Sequence, residues 1–182
     1  HVSLLESILD IQFEVFTTYL NDGHKLPVRS AVNNANAYID APYGIYKTTD
    51  GYIAIAMVSI PILGKLIDCL PLTSYINDTD GTCKRDEIKQ ILSKHLLTQT
   101  TAYWLSKLEP ADIWCSDVFS WNKLFQSEGF KSLDMIQNIK MQDGCNFKTT
   151  RCPITIDKEH YFSSKPAPII GQDNCKYLIS NS

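Results

Sequence analysis

No C-x-x-C pair occurs in the 182 residues, and the six cysteines (Cys69, Cys83, Cys115, Cys145, Cys152 and Cys175) are widely scattered. This excludes both a small disulfide scaffold and zinc-ligand spacing, and leaves reduced thiols as the expectation. The four histidines (His1, His24, His95 and His160) contain no H-x-x-x-H pair. His95 stands among apolar neighbours at helical spacing, where a satisfied imidazole is the ordinary outcome, so no metal ligand is expected. The eight glycines are dispersed, with no P-loop, no G-x-G-x-x-G and no G-x-S-x-G, which removes the usual loop signatures for phosphate binding and for a serine nucleophile. Seventeen Lys and Arg residues form no basic block and the net charge is −3, so neither nucleic acid nor an anionic membrane surface is an expected partner. No apolar run approaches the ~20 residues of a membrane span. Glu6, Asp10 and Glu14 interrupt the first segment as they would not interrupt a signal peptide. A soluble, cytoplasmic protein is the expectation.

What is present is ordinary globular composition, 44% hydrophobic and 20% charged, enough to build a core. Leu4, Leu5, Ile8, Ile11, Phe13, Val15, Phe16 and Leu20 recur at helical spacing over much of the circumference, which predicts one well-buried helix over the first twenty residues. A polar loop follows from Asn21 to Asn36. Ile45 and Tyr46 then run toward Asp50-Gly51, and Tyr52 to Met57 leave that pair as β-branched and apolar residues, so a hairpin with a tight turn is predicted.

Ile60 to Leu70 reads as a short helix started by Pro61 and stopped by Pro71. Amphipathic helices follow from Arg85 and through Ala102, Leu105 and Leu108. Asp112 to Ser120 alternates as a strand, and Ser120 can cap the helix begun by Trp121. Beyond Leu133 short strands, "MIQNIKM" and "CPITI", lead into a Pro- and Gly-punctuated tail. The fold class expected is α/β: a small α+β domain with an antiparallel hairpin and helices, an N-terminal linker helix and an extended C-terminal tail. The expected division is 1–40 linker helix and loop, 41–132 small α/β domain, and 133–182 returning strands and tail.

Carboxylates are plentiful but stand at turns and strand ends, such as Asp40, Asp112 and Asp117, where a solvated acid needs no catalytic explanation. The chain opens at His1 and runs straight into a helical pattern, which reads as a piece of something longer.

Three separated segments carry a resemblance. They are "VSLLE" (Val2 to Glu6), "APYGIYKTTDGYIAIA" (Ala41 to Ala56), and "CPITI" (Cys152 to Ile156) running into "PAPIIG" (Pro166 to Gly171). "ADIWCSDVFSWNKLF" adds a strand and helix similar to a D-I-P-C-x-P-V pattern. In this order they resemble the C-terminal half of the family III CoA-transferases of the CaiB/BaiF type, which include formyl-CoA transferase, carnitine CoA-transferase and α-methylacyl-CoA racemase.

The resemblance implies acyl transfer between CoA thioesters through an aspartyl intermediate, with the attacking aspartate and most CoA contacts upstream of the "VSLLE" helix. No catalytic residue is therefore expected in these residues. Tyr43, Gly44 and Ser59 are the implied substrate-binding positions, the substrate is an acyl-CoA thioester, and no metal is required. The expected partners are a second copy in an interlocked homodimer or an N-terminal half. The glycine-rich lid loop of the formyl-CoA enzymes has no counterpart. Ser59, or Ile60 in a register one residue longer, stands where racemases carry a glutamate, which disfavours a racemase-like part. The tail reads "GQDN" (Gly171 to Asn174) where the family carries a Gly-Glu-His-Thr-like run. A non-catalytic α/β module for dimerisation or partner binding is the competing expectation.

Overall fold

The computed structural model describes residues 1–32, 36–77 and 79–178. Residues 33–35 of the expected polar loop and 179–182 of the expected tail lie outside the described residues. The chain divides into two units, His1–Val118 and Phe119–Ser182.

The first unit begins with Ser3, whose hydroxyl accepts from the Glu6 amide at 3.4 Å and caps α1 (Leu4–Ile11). The single buried helix predicted for this segment is not what forms. Gln12, at φ −95° and ψ 12°, departs from helical geometry, and α2 (Phe13–Asn21) starts afresh beyond it. No residue of either helix is buried, and Leu4 and Ile11 are 84% and 82% exposed. The apolar circumference is real, but the described chain lays no surface over it.

The hairpin forms as expected. β1 (Gly44–Lys47) and β2 (Tyr52–Ile55) pair antiparallel, Gly44 opposite Ile55 and Lys47 opposite Tyr52. Tyr46, Ile53 and Ile55 turn inward and are buried, while Ile45 and Tyr52 turn outward, the alternation a sheet with one open face requires.

Next, α3 (Ile60–Leu66) carries Pro61 in its first turn but ends sooner than predicted. Asp68 adopts a left-handed φ of 58°, and the chain folds back so that the Cys69 amide donates to the Gly64 carbonyl at 2.7 Å. Pro71, expected to stop the helix, instead lies in the first turn of a 3-10 turn, Leu70–Ser74. The fold-back needs glycine at position 64, because a Cβ there would stand 2.8 Å from the Leu72 Cβ.

After α4 (Asp80–Cys83), α5 (Arg85–Leu96) and α6 (Thr101–Leu108) form as predicted. They pack Ile88, Leu92, Leu96, Trp104 and Leu108 with Tyr46, Ile53, Leu63, Ile67 and Leu72 into one core. Each such aliphatic side chain contributes about 1.5–3 kcal/mol by leaving water. The Trp104 indole donates to the Leu96 carbonyl at 2.8 Å, so its polar edge is satisfied where its ring is buried. His95 lies 2.7 Å from the Ile67 carbonyl through Nε2, a partnered structural imidazole.

The strand predicted over Asp112 to Ser120 contracts to β3 (Cys115–Asp117), which adds to β2 with Ile55 opposite Cys115 and completes an antiparallel sheet of order β1-β2-β3.

In the second unit Ser120 and Ser127 cap α7 (Trp121–Gln126) and α8 (Glu128–Ser132). β4 (Ile136–Lys140) pairs antiparallel with β5 (Asn146–Thr150), followed by the short pair β6 (Thr155–Ile156) and β7 (Glu159–His160) and by α9 (Asn174–Leu178). Buried Arg151 ties this unit together, donating to the carbonyls of Leu133, Asp134 and Cys152 at 2.7–2.9 Å.

Candidate functional site

The hairpin turn is clamped from outside itself. Asp50 Oδ1 accepts from the Thr101 amide at 2.8 Å and from the Thr101 and Thr48 hydroxyls, each at 3.1 Å. These donors, the Thr101 amide first, hold the Asp50 carboxyl below the usual carboxylate range. The two hydroxyls lie 2.7 Å apart, and the Thr49 amide donates to the Gln99 carbonyl. Asp50-Gly51 thus serves as structural punctuation that fixes the hairpin on the α5–α6 connection.

At the other end of the hairpin, the turn from Asp40 to Tyr43 is fixed by the Tyr43 amide donating to the Asp40 carbonyl, by the Ala41 amide donating to the Gly81 carbonyl, and by the Tyr46 hydroxyl donating to the Pro42 carbonyl. The Ala41-Pro42 peptide is cis. Burial raises the Tyr46 phenol pKa, so this group is a neutral donor inside the fold.

Between these clamps the outer face of the sheet forms a trough. Extending the β1–β2 and β2–β3 registers by one pair puts Tyr43, Ala56 and Trp114 in one row, beside the row Ile45, Ala54 and Ser116. The central strand therefore presents two alanines, flanked by larger side chains: Tyr43 and Ile45 on one edge, Trp114 on the other. The Ala56 amide donates to the Trp114 carbonyl at 2.8 Å, which holds this end of the row together.

The result is a concavity of about 640 Å³, within the range of small-molecule sites, with no charged residue in its lining. Cys115 borders it, and burial raises its thiol pKa, with the nearby Glu109 charge a lesser cause, so the sulfur stays protonated. Tyr43 is half-buried and Gly44 buried, both in the trough's lining.

Ser59, the remaining expected binding position, lies elsewhere. It is exposed at the start of α3, its hydroxyl makes no capping bond, and it lines a hollow with Tyr38, Asp40, Pro42 and Met57. The two hollows share no lining residue, though consecutive residues line them, Tyr43 and Ala56 the first and Pro42 and Met57 the second. The fold brings Tyr43 and Gly44 together and keeps Ser59 in the neighbouring space.

Trp114, Ser116, Ala54 and Tyr38 are absent from the sequence reading of the site. The small-residue alternation of "YIAIA" is the signal that locates the trough floor. Nothing in the sequence ties Trp114 to it, because that pairing crosses from residue 56 to residue 114. Tyr38 has its hydroxyl buried with no hydrogen-bond partner among the described residues.

The first hollow is lined by uncharged residues, and the second also by Asp40 and Ser59. No nucleophile activated by a base lines them, and among the described residues no group of three or more His, Cys, Asp or Glu is placed to hold a metal ion. The six cysteines are free. No helix among the described residues is long and apolar enough to cross a membrane.

The first unit is thus a small α/β unit with an uncharged, largely apolar trough on the outer face of its antiparallel sheet. The chain belongs to CoA-transferase family III, whose family model matches residues 1–174. Its fold is similar to the crystal structure of Rv3272 from Mycobacterium tuberculosis, at 17% identity and a TM-score of 0.68 over 97% of this chain and 46% of that one. It is also similar to a CAIB/BAIF family protein from Brucella suis, at 18% identity and a TM-score of 0.60 over 93% of this chain and 43% of that one. The chain therefore spans less than half the length of these structures. No curated protein is similar enough to the chain to count as a match.

Proposed function

We propose that this chain is the C-terminal part of an acyl-CoA transferase that moves CoA from a thioester to a carboxylic acid. The reading rests on the family match over residues 1–174 together with the hairpin trough. In this reading a carboxylate from an aspartate outside these residues attacks the thioester carbonyl. The CoA thiolate leaves as the anhydride forms, then returns to give an aspartyl-CoA intermediate and free acid. This chain contributes the walls: Tyr43 and Gly44 along the trough, Ser59 beside it.

The lining suits the acyl end of an acyl-CoA and not its phosphates, since it carries no cation. CoA itself would be held mainly by the N-terminal half. The division by role remains part of the proposal: 1–40 linker, 41–132 acyl-site domain, 133–182 returning segment, in a cytoplasmic enzyme. Leu4, Leu5, Ile8, Ile11 and Phe13, all more than half or about half exposed, support a homodimer or association with that half, because so much apolar helix surface needs cover.

The test uses the full-length gene product, an acyl-CoA donor and a carboxylate acceptor. The expected result is CoA appearing on the acceptor with ping-pong kinetics and an acylated enzyme trapped by hydroxylamine. Failure to transfer CoA from any thioester overturns the reading. The 182 residues alone are expected to turn over nothing, because binding walls without a nucleophile retain only binding; transfer catalysed by them alone would place the reactive group inside this chain. Tyr43→Phe tests the wall: altered KM for acyl donors is expected, and unchanged constants would assign Tyr43 to packing alone.

A further inference from the structure

We infer that the trough over Ala54 and Ala56 receives the hydrocarbon part of the acyl group, so that the enzyme prefers donors with an uncharged apolar acyl chain over donors ending in a second carboxylate. This rests on the acyl-CoA transferase reading above and adds the substrate class to it. Three features of the trough carry the inference.

The floor is made of two alanines on the central strand, which leaves a channel between larger side chains on either edge. The walls, Tyr43, Ile45 and Trp114, offer flat or branched apolar surface, and Trp114 is 67% exposed, an indole face free to take a partner. The polar side-chain groups on the trough face are the Tyr43 and Ser116 hydroxyls; the Cys115 thiol, opposite inward-facing Ile55, packs toward the core, and no cation lines the trough.

A charged acyl terminus lying here would lose hydration without meeting a cation, which is strongly unfavourable. A hydrocarbon chain would gain about threefold to fourfold in affinity for each methylene removed from water.

The experiment compares acetyl-, butyryl-, hexanoyl-, octanoyl- and succinyl-CoA as donors to one fixed acceptor, with the full-length enzyme and its Trp114→Ala and Ala54→Asp variants. For the parent enzyme, kcat/KM should rise about threefold per added methylene until the trough is filled, and succinyl-CoA should fall at least about tenfold below butyryl-CoA. Trp114→Ala should flatten the chain-length profile, lowering octanoyl-CoA several-fold more than acetyl-CoA, since it removes apolar wall surface that only the longer chains can cover. Ala54→Asp should lower octanoyl-CoA most.

Circular dichroism of both variants establishes that they fold, and Trp114→Ala at an exposed position keeps the test in force if Ala54→Asp does not. A flat parent profile, succinyl-CoA equal to butyryl-CoA, or variants that depress all donors equally would overturn the inference while leaving CoA transfer intact. An Ala54→Asp variant that changes the oligomeric state with an unchanged profile would mean that protein covers the trough, and overturns it too. Absence of transfer from every donor would overturn this inference together with the reading beneath it.

Discussion

The hairpin with its helices and the two helices that precede it are built from similar residues and end in opposite states. From β1 to α6, Tyr46, Ile53, Leu63, Leu72, Ile88, Leu92 and Leu96 are wholly shut off from water. Along α1 and α2, Leu5, Ile8, Phe13 and Phe16 are as apolar, yet none is buried. Composition is therefore not the difference. The hairpin region supplies several elements that face one another, so each apolar side chain finds others within the same unit. The first two helices find no such surface in the described chain. A periodic apolar pattern reports that a helix has a face to cover, and the rest of the molecule decides whether the cover exists.

This contrast can be broken most forcefully at the core. Trp104→Ala should cost about 3–5 kcal/mol, through lost burial and a cavity, and should also leave the Leu96 carbonyl without its 2.8 Å partner. Urea denaturation checks this, and a loss below about 1 kcal/mol would mean that the core is looser than its burial indicates.

Next in size is Gly64→Ala. The new Cβ would stand 2.8 Å from the Leu72 Cβ and 3.1 Å from the Cys69 carbonyl oxygen, both held in place by the fold-back. About 1–3 kcal/mol of destabilisation is expected. At Gly129 in α8, where nothing lies within 4 Å of the new Cβ, the same change should stabilise by about 0.5–1 kcal/mol through helix propensity. Equal effects at both glycines would remove the argument.

A smaller and pH-dependent effect is expected at the hairpin clamp. The Asp50 pKa is lowered in the folded state, so its contribution is present above the unfolded value of about 3.9 and is lost as pH falls through the folded value. Asp50→Asn should lower Tm modestly at pH 7, and the parent and variant should converge in acid once pH has fallen below the folded value. Parallel Tm curves across that range would mean that the charge contributes nothing.

The smallest effect belongs to the first helices. Leu5→Ser with Ile8→Ser should change the stability of the 182-residue chain by no more than about 0.5 kcal/mol, the range for exposed sites. A loss of about 2 kcal/mol or more would show these residues packed in solution, and light scattering of parent and variant would then identify the cover as a second copy.

The family and most elements were legible because their signals are local. Asp50-Gly51 between alternating apolar residues specifies a tight turn whatever surrounds it. Ile88, Ile91, Leu92 and Leu96 specify one face of a helix. β5 was not legible: "NFKTT" alternates too little to announce a strand, and its pairing with β4 supplies the order. The early end of α3 likewise depends on contact, through a left-handed Asp68 and a glycine that lets Leu72 approach.

By itself, the sequence determined the hairpin, the amphipathic helices and the absence of a nucleophile motif, because turn chemistry and periodicity act within a few residues. Tertiary structure alone decided that α1 and α2 lie uncovered in the described chain, that Tyr43 and Gly44 share a hollow from which Ser59 is separated, and that Trp114 walls a trough floored by Ala54 and Ala56. Each of these depends on surfaces far apart in the chain, and a strand's pairing partner is chosen by the packing of the whole unit and not by the residues beside it.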